Sequence, residues 1–159
     1  MPDPLDRVHD AAAARGLDIE IRERPAASSL AEAARLLGLE PEDIVKTLVV
    51  KRSDDTYLLA LIPGDLAISW PKLRALVGVN KLRLPEPELA LAATGYERGT
   101  ITPIGAAGDW PVYADTSIVG RRIAIGAGAH GYSLFVDADD LIAAYGATVA
   151  DISQPASPR

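Results

Sequence analysis

Two apolar runs, residues 45–52 and 56–62, flank the polar triplet Ser53-Asp54-Asp55. Aliphatic and β-branched runs of this length around a turn signal predict a β-hairpin. Alternation puts Ile44, Lys46, Leu48 and Val50 on one face of the first strand, and Val45, Thr47 and Val49 on the other. Both faces are apolar, so the strand is expected to be covered on both sides. Lys46 does not suit that setting. An ammonium is costly to bury unless an anion meets it, and burial depresses its pKa. Either Lys46 faces a ligand or its stem snorkels to the sheet edge.

The rest of the chain supplies partners for this hairpin. Residues 4–15 read as a helix stopped by Gly16, and residues 17–24 as a half-buried strand ended by Pro25. Ser28 or Ser29 caps a helix with the stripe Leu30, Ala33, Ala34 and Leu37, closed by Gly38. Pro63-Gly64-Asp65 ends the second hairpin strand. Ser69 caps a short helix near Pro71, residues 81–84 form a short strand, and residues 86–94 form a helix ended by Gly95. Strand patterns return at residues 111–114, 122–125 and 132–136, a helix at 138–145 and a last strand at 148–152. The sum is one mixed α/β domain over residues 1–153, with a largely antiparallel sheet and packed helices. A frayed tail is expected at residues 154–159.

Composition narrows the function. At 159 residues and 48% apolar content the chain can bury a real core. No apolar run approaches the roughly 18–20 residues that span a bilayer, so no membrane partner is expected. The N-terminus, Met1-Pro2-Asp3-Pro4, is unlike a secretory signal. There are no cysteines, which excludes disulfides and thiol catalysis and fits a cytoplasmic location. A net charge of −6 argues against a grip on long nucleic acid, DNA included. It leaves room for contact with a nucleic-acid end through a local basic patch. Lys72 with Arg74, Lys81 with Arg83, and Arg121 with Arg122 are the candidates, or they are ordinary solvated surface.

Between Gly95 and Gly108 lies a long loop containing Gly99-Thr100-Ile101-Thr102-Pro103. Its length and glycine content suit a binding loop more than a tight connection. A second cluster, Gly126-Ala127-Gly128-Ala129-His130-Gly131, follows the apolar Ile123-Ala124-Ile125. It is neither a Walker loop nor a dinucleotide fingerprint. Asp115, after a strand, either orients a substrate or caps a turn. His9 falls on the first helix and His130 in the glycine cluster, and one histidine makes no metal site. No Gly-x-Ser-x-Gly elbow occurs. No cofactor, metal, nucleophile or triad is expected. Chemistry here would rest on positioning, main-chain donors and the lysine charge.

These residues, in this order, resemble the YbaK family of aminoacyl-tRNA editing domains, which includes the editing insertion of bacterial prolyl-tRNA synthetase. The resemblance runs from about Leu17 to Ile152. It rests on Val45-Lys46-Thr47-Leu48-Val49, on the stretch from Thr94 to Gly105, on Val112-Tyr113-Ala114-Asp115 and on Ile125-Gly126-Ala127-Gly128, with Ala150-Asp151-Ile152 closing it. It implies hydrolysis of the ester that joins a wrong, small amino acid (Ala, Ser, Thr or Cys) to a tRNA 3′ end, that of the proline tRNA above all. It implies that Lys46 lies in the pocket near the terminal adenosine and that Gly99, Thr100, Ile101, Thr102 and Pro103 line it. Asp115, Gly126, Gly128 and His130 are the substrate-binding candidates. The chain would act in trans, with a synthetase as partner. A non-catalytic module that binds a tRNA end, a nucleotide or a protein is the alternative, and a hydrolase of another activated ester is the third.

Overall fold

The computed structural model describes residues 3–156. In chain order the elements are α1 (Pro4–Ala14), β1 (Glu20–Glu23), α2 (Leu30–Leu37), β2 (Val45–Arg52), β3 (Tyr57–Pro63), β4 (Leu66–Ile68), α3 (Trp70–Val77) and β5 (Leu82–Arg83). Then come α4 (Pro87–Thr94), β6 (Val112–Asp115), β7 (Arg122–Gly126), β8 (Tyr132–Asp137), α5 (Ala138–Tyr145), β9 (Thr148–Ala150) and β10 (Ser153–Pro155). The helix ends follow local chemistry. Ser29 accepts the Glu32 N–H and starts α2, and Ser69 does the same for α3 through Lys72. Left-handed glycines close α2, α3, α4 and α5.

The strands form a five-stranded sheet in the order β5-β2-β3-β6-β9, a three-stranded sheet β1-β8-β7 and a two-stranded ribbon β10-β4. Pairings β3–β6 and β6–β9 are parallel, and the others are antiparallel. The hairpin reads as expected, with Lys46 opposite Ile62 and Thr47 opposite Leu61. On one face Val45, Val49, Leu59 and Leu61 join the main core with Tyr96, Ile104, Ile125 and Leu134. On the other, Val50, Leu58, Ala60 and Ile62 pack with Ile68, Leu73 and Ile152. Every residue of β3 is buried, which is the setting in which parallel neighbours are stable.

Two short strands depart from the sequence reading. Pro63-Gly64-Asp65 ends β3 as expected, and the unforeseen strand β4 follows it. Gln154 and Pro155, expected to fray, pair with Ala67 and Leu66. Residues 157–159 of that tail lie outside the described residues.

Both faces of β2 are covered as expected, but one of its edges is largely unpaired. On its outer side β5 pairs only with Lys51 and Arg52, and Ile44 makes an isolated bridge to Ala124. Among the described residues no strand covers the stretch between. Arg52 N donates to Thr56 O at 2.8 Å, and Ile44 O accepts from Gly64 N at 2.6 Å. Even-numbered residues therefore point their main-chain groups at β3, and odd-numbered ones point them outward.

Candidate active site

The open edge of β2 is one wall of a cleft of about 420 Å³. All six residues from Ile44 to Val49 line it, whichever face they belong to. A strand shows both faces to one cleft only along its edge. Across the gap stand Arg98, Gly99 and Ile101 from the long loop, Ile125 and Gly126 from the end of β7, and Arg24 beyond β1.

Lys46 is exposed, its stem reaching solvent at the sheet edge as one of its two sequence readings had it, and it lines the cleft as well. The reason is the missing strand: at an uncovered edge the stem reaches solvent. Its Nζ donates to Leu66 O at 2.8 Å, on β4. Partial desolvation lowers its pKa, and the nearby Asp65 carboxylate works against that shift. The cation is thus anchored at the cleft wall without a carboxylate pressed against it.

Several contacts fix the long loop opposite. Tyr96 is buried, and its Oη donates to Ile104 O at 2.8 Å. The Arg7 guanidinium donates to Gly105 O at 2.7 Å and stacks over the Tyr96 ring at 4.8 Å. Thr100 is spent on the loop itself: its N–H and hydroxyl both donate to Glu97 O, and its carbonyl accepts from Gly128 N at 2.8 Å. Thr102 accepts the Ile104 N–H. The N–H groups of Gly99 and Ile101 have no protein acceptor among the described residues, and both residues line the cleft.

The structure therefore brings Lys46, Gly99, Ile101 and Gly126 to one cleft and separates other sequence candidates from it. Thr100 and Thr102 are buried and hold the loop. Pro103 lines a separate hollow that also contains Trp110 and Tyr145. Gly128 sits against Tyr96, and His130 is exposed, with Nε2 3.4 Å from Glu97 Oε2. Neither lines the cleft. Asp115 is the largest correction. It is 2% exposed and accepts from Ser117 N at 3.2 Å, from Ser117 Oγ and from Ile152 N at 3.0 Å. Burial alone would raise its pKa, but these hydrogen bonds outweigh burial and hold the carboxyl below its ordinary value. It caps a turn and fastens β6 to the chain entering β10, away from the cleft.

Four of the six residues in the basic pairs are engaged by carboxylates, and Arg74 and Lys81 make no ion pair among the described residues. Lys72 pairs with Asp151, Arg83 with Glu86, Arg121 with Asp43, and Arg122 with Glu20 and Asp137. The charged residues that do line the cleft, Arg24 and Arg98 beside Lys46, were missed in the sequence. Arg98 immediately precedes Gly99 in the loop motif, so a signal was there. Arg24 offered none beyond closing a strand pattern. Thr47 was read only as a strand position, yet its buried Oγ1 has no hydrogen-bond partner among the described residues. Among the described residues no group of His, Cys, Asp and Glu is placed to hold a metal, and no helix is long and apolar enough to cross a membrane.

Fold and cleft together define a small α/β domain that offers a strand edge, a lysine and free main-chain N–H groups to a polar ligand. Residues 24–144 match the aminoacyl-tRNA editing domain, and the chain belongs to that family. The proline–tRNA ligase of Shouchella clausii is 39% identical over 120 residues, 75% of this chain and 21% of that enzyme. That of Dehalococcoides mccartyi is 32% identical over 117 residues, 74% of this chain and 20% of the enzyme. The chain thus spans about a fifth of the length of these curated relatives. A crystal structure described as a candidate trans-editing enzyme for prolyl-tRNA synthetase superposes with a TM-score of 0.87 at 29% identity. That match covers 97% of this chain and 99% of the other.

Proposed function

We propose that the cleft receives the 3′ end of a mischarged tRNA and hydrolyses its aminoacyl ester, releasing a small amino acid (Ala, Ser, Thr or Cys) from the proline tRNA. The observation that carries this reading is the meeting of Lys46 with Gly99 and Ile101 across one cleft. An aminoacyl ester is already activated, so the barrier to be removed is modest. Water attacks the ester carbonyl, the carbonyl oxygen gains negative charge, and the bond to the ribose oxygen then breaks with a proton passing to that oxygen. The unpartnered N–H groups of Gly99 and Ile101 are donors for the developing oxyanion. The Lys46 ammonium stabilises negative charge on the ester or holds a ribose or phosphate oxygen. Small cargo follows from the logic of editing: one methylene in a binding pocket discriminates by only about 1–3 kcal/mol, so a second, smaller pocket is needed.

The likeness to the trans-editing candidate supports action in trans on tRNA charged by a synthetase partner. Deacylation of a panel of misacylated tRNAs, with Lys46→Ala as comparison, tests the reading. Release of one or two small amino acids, slowed strongly in the variant, is the expected result. No release from any tRNA, with measurable binding of the tRNA end, would replace the enzyme by a non-catalytic binding module.

A further inference from the structure

The cleft has a property that ester hydrolysis by itself does not require. Its charged lining residues are Arg24, Lys46 and Arg98, and no carboxylate lines it, although the chain as a whole carries a net charge of −6. Several other arginines are neutralised, Arg22 by Glu20, Arg121 by Asp43, and Arg122 by Glu20 and Asp137, while Arg35, Arg52 and Arg74, which have no ion pair among the described residues, do not line the cleft. Among the described residues the guanidinium groups of Arg24 and Arg98 make neither an ion pair nor a hydrogen bond. Both residues are exposed, so each head is free to meet a ligand.

A continuous path of contacts holds the two arginines at the same mouth. The Arg24 N–H donates to Gly131 O at 2.8 Å. Next to Gly131, His130 reaches Glu97, the residue before Arg98. The one acid near Arg98 in sequence is thereby engaged by His130 and does not line the cleft. Arginine presents a planar fork of donors that matches the oxygens of a phosphodiester, and an acid-free cleft focuses its field on an anion.

We propose that Arg24 and Arg98 form a phosphate clamp. Resting on the deacylase reading above, it assigns these residues to the phosphodiester that precedes the terminal adenosine. The clamp fixes the ribose ester against Gly99 and Ile101. Arg24 and Arg98 are binding residues, separate from the groups that act on the ester.

The experiment compares two substrates with one cargo: the misacylated tRNA, and the same amino acid esterified to adenosine, which has no phosphate. Arg24→Ala and Arg98→Ala are each expected to raise KM on the tRNA by about tenfold, with kcat changed far less. The loss on the tRNA should exceed the loss on the aminoacyl-adenosine by about tenfold. Each substitution should also flatten the dependence of log KM on log salt by about one unit. Arg24→Lys, which keeps the charge without the fork, should retain the salt slope and recover part of KM. Equal losses on both substrates, or an unchanged salt slope, would overturn the clamp while leaving the deacylase in place. A wild-type protein that cleaves neither substrate would overturn the deacylase reading and the clamp with it.

Discussion

Gly126 lies so close to Ile101 that a β-carbon on the glycine would stand 2.5 Å from the Ile101 carbonyl oxygen and 2.6 Å from that of Thr100. The end of β7 and the long loop are in backbone contact at the cleft. The contact leaves no space for a side chain, and only glycine allows it. Gly126→Ala therefore displaces the Thr100–Ile101 peptide, and with it the N–H groups of Gly99 and Ile101. The expected outcome is loss of deacylation by about 10²-fold or more, the size of effect seen when an oxyanion donor is lost. A lower melting temperature should accompany it. Single-turnover kinetics and a thermal melt check this, and wild-type rates in the variant would show that the loop does not position the ester.

Lys46→Met is expected to slow deacylation by about 10²-fold without unfolding the protein, since the side chain is exposed. Desolvation lowers the Lys46 pKa, so its charge is lost below the ordinary value of 10.5. Activity that needs the ammonium falls on the alkaline side earlier than an unperturbed lysine would dictate. The stability sign is opposite. Between the lowered folded pKa and 10.5 the unfolded chain holds the extra proton, so stability rises with pH in that window. Urea melts across the alkaline range should show that rise in wild type and lose it in the variant. Superimposable curves would mean that Lys46 does not feel the cleft.

Asp115→Asn should act on stability. The buried carboxylate accepts from Ser117 and Ile152, and an amide cannot replace a charge-assisted acceptor. A loss of about 2 kcal/mol at neutral pH is expected. The Asp115 pKa is lowered in the fold, so its contribution is present above the unfolded value and vanishes as pH falls through the folded one. Denaturant midpoints for the two proteins should therefore converge in acid. A gap that persists below both pKa values would point to packing instead of charge.

Thr47→Val exchanges a buried, unpartnered hydroxyl for a methyl of the same shape. Removing an unsatisfied buried polar atom stabilises, here by about 1 kcal/mol. A higher urea midpoint with an unchanged m-value is the expected reading. A lower midpoint would reveal a hydrogen-bond partner for that hydroxyl.

The local structure was largely legible because it is set by residues close in sequence. Ser29, Ser69, Gly38 and Gly95 fix helix ends through their own geometry. The hairpin follows from two apolar runs around a turn, and the long loop from its glycines. Strands β4 and β10 were not legible, because Leu66–Ile68 and Ser153–Pro155 are short and their ladder partners are each other, far apart in sequence.

The amino-acid order alone determined the hairpin, the placement of Lys46 in it, and the family pattern that joins it to the Gly99–Pro103 loop. Tertiary structure alone decided which of those residues share a cleft. Asp115 turned inward because its hydrogen-bond partners, Ser117 and Ile152, come from two parts of the chain. Lys46 turned outward because no strand among the described residues pairs with β2 beside it, and Arg24 and Arg98 line one cleft because the turn at His130 and Gly131 ties their two segments together. Edge pairing and long-range contact are properties of the assembled sheet, and no window of sequence contains them.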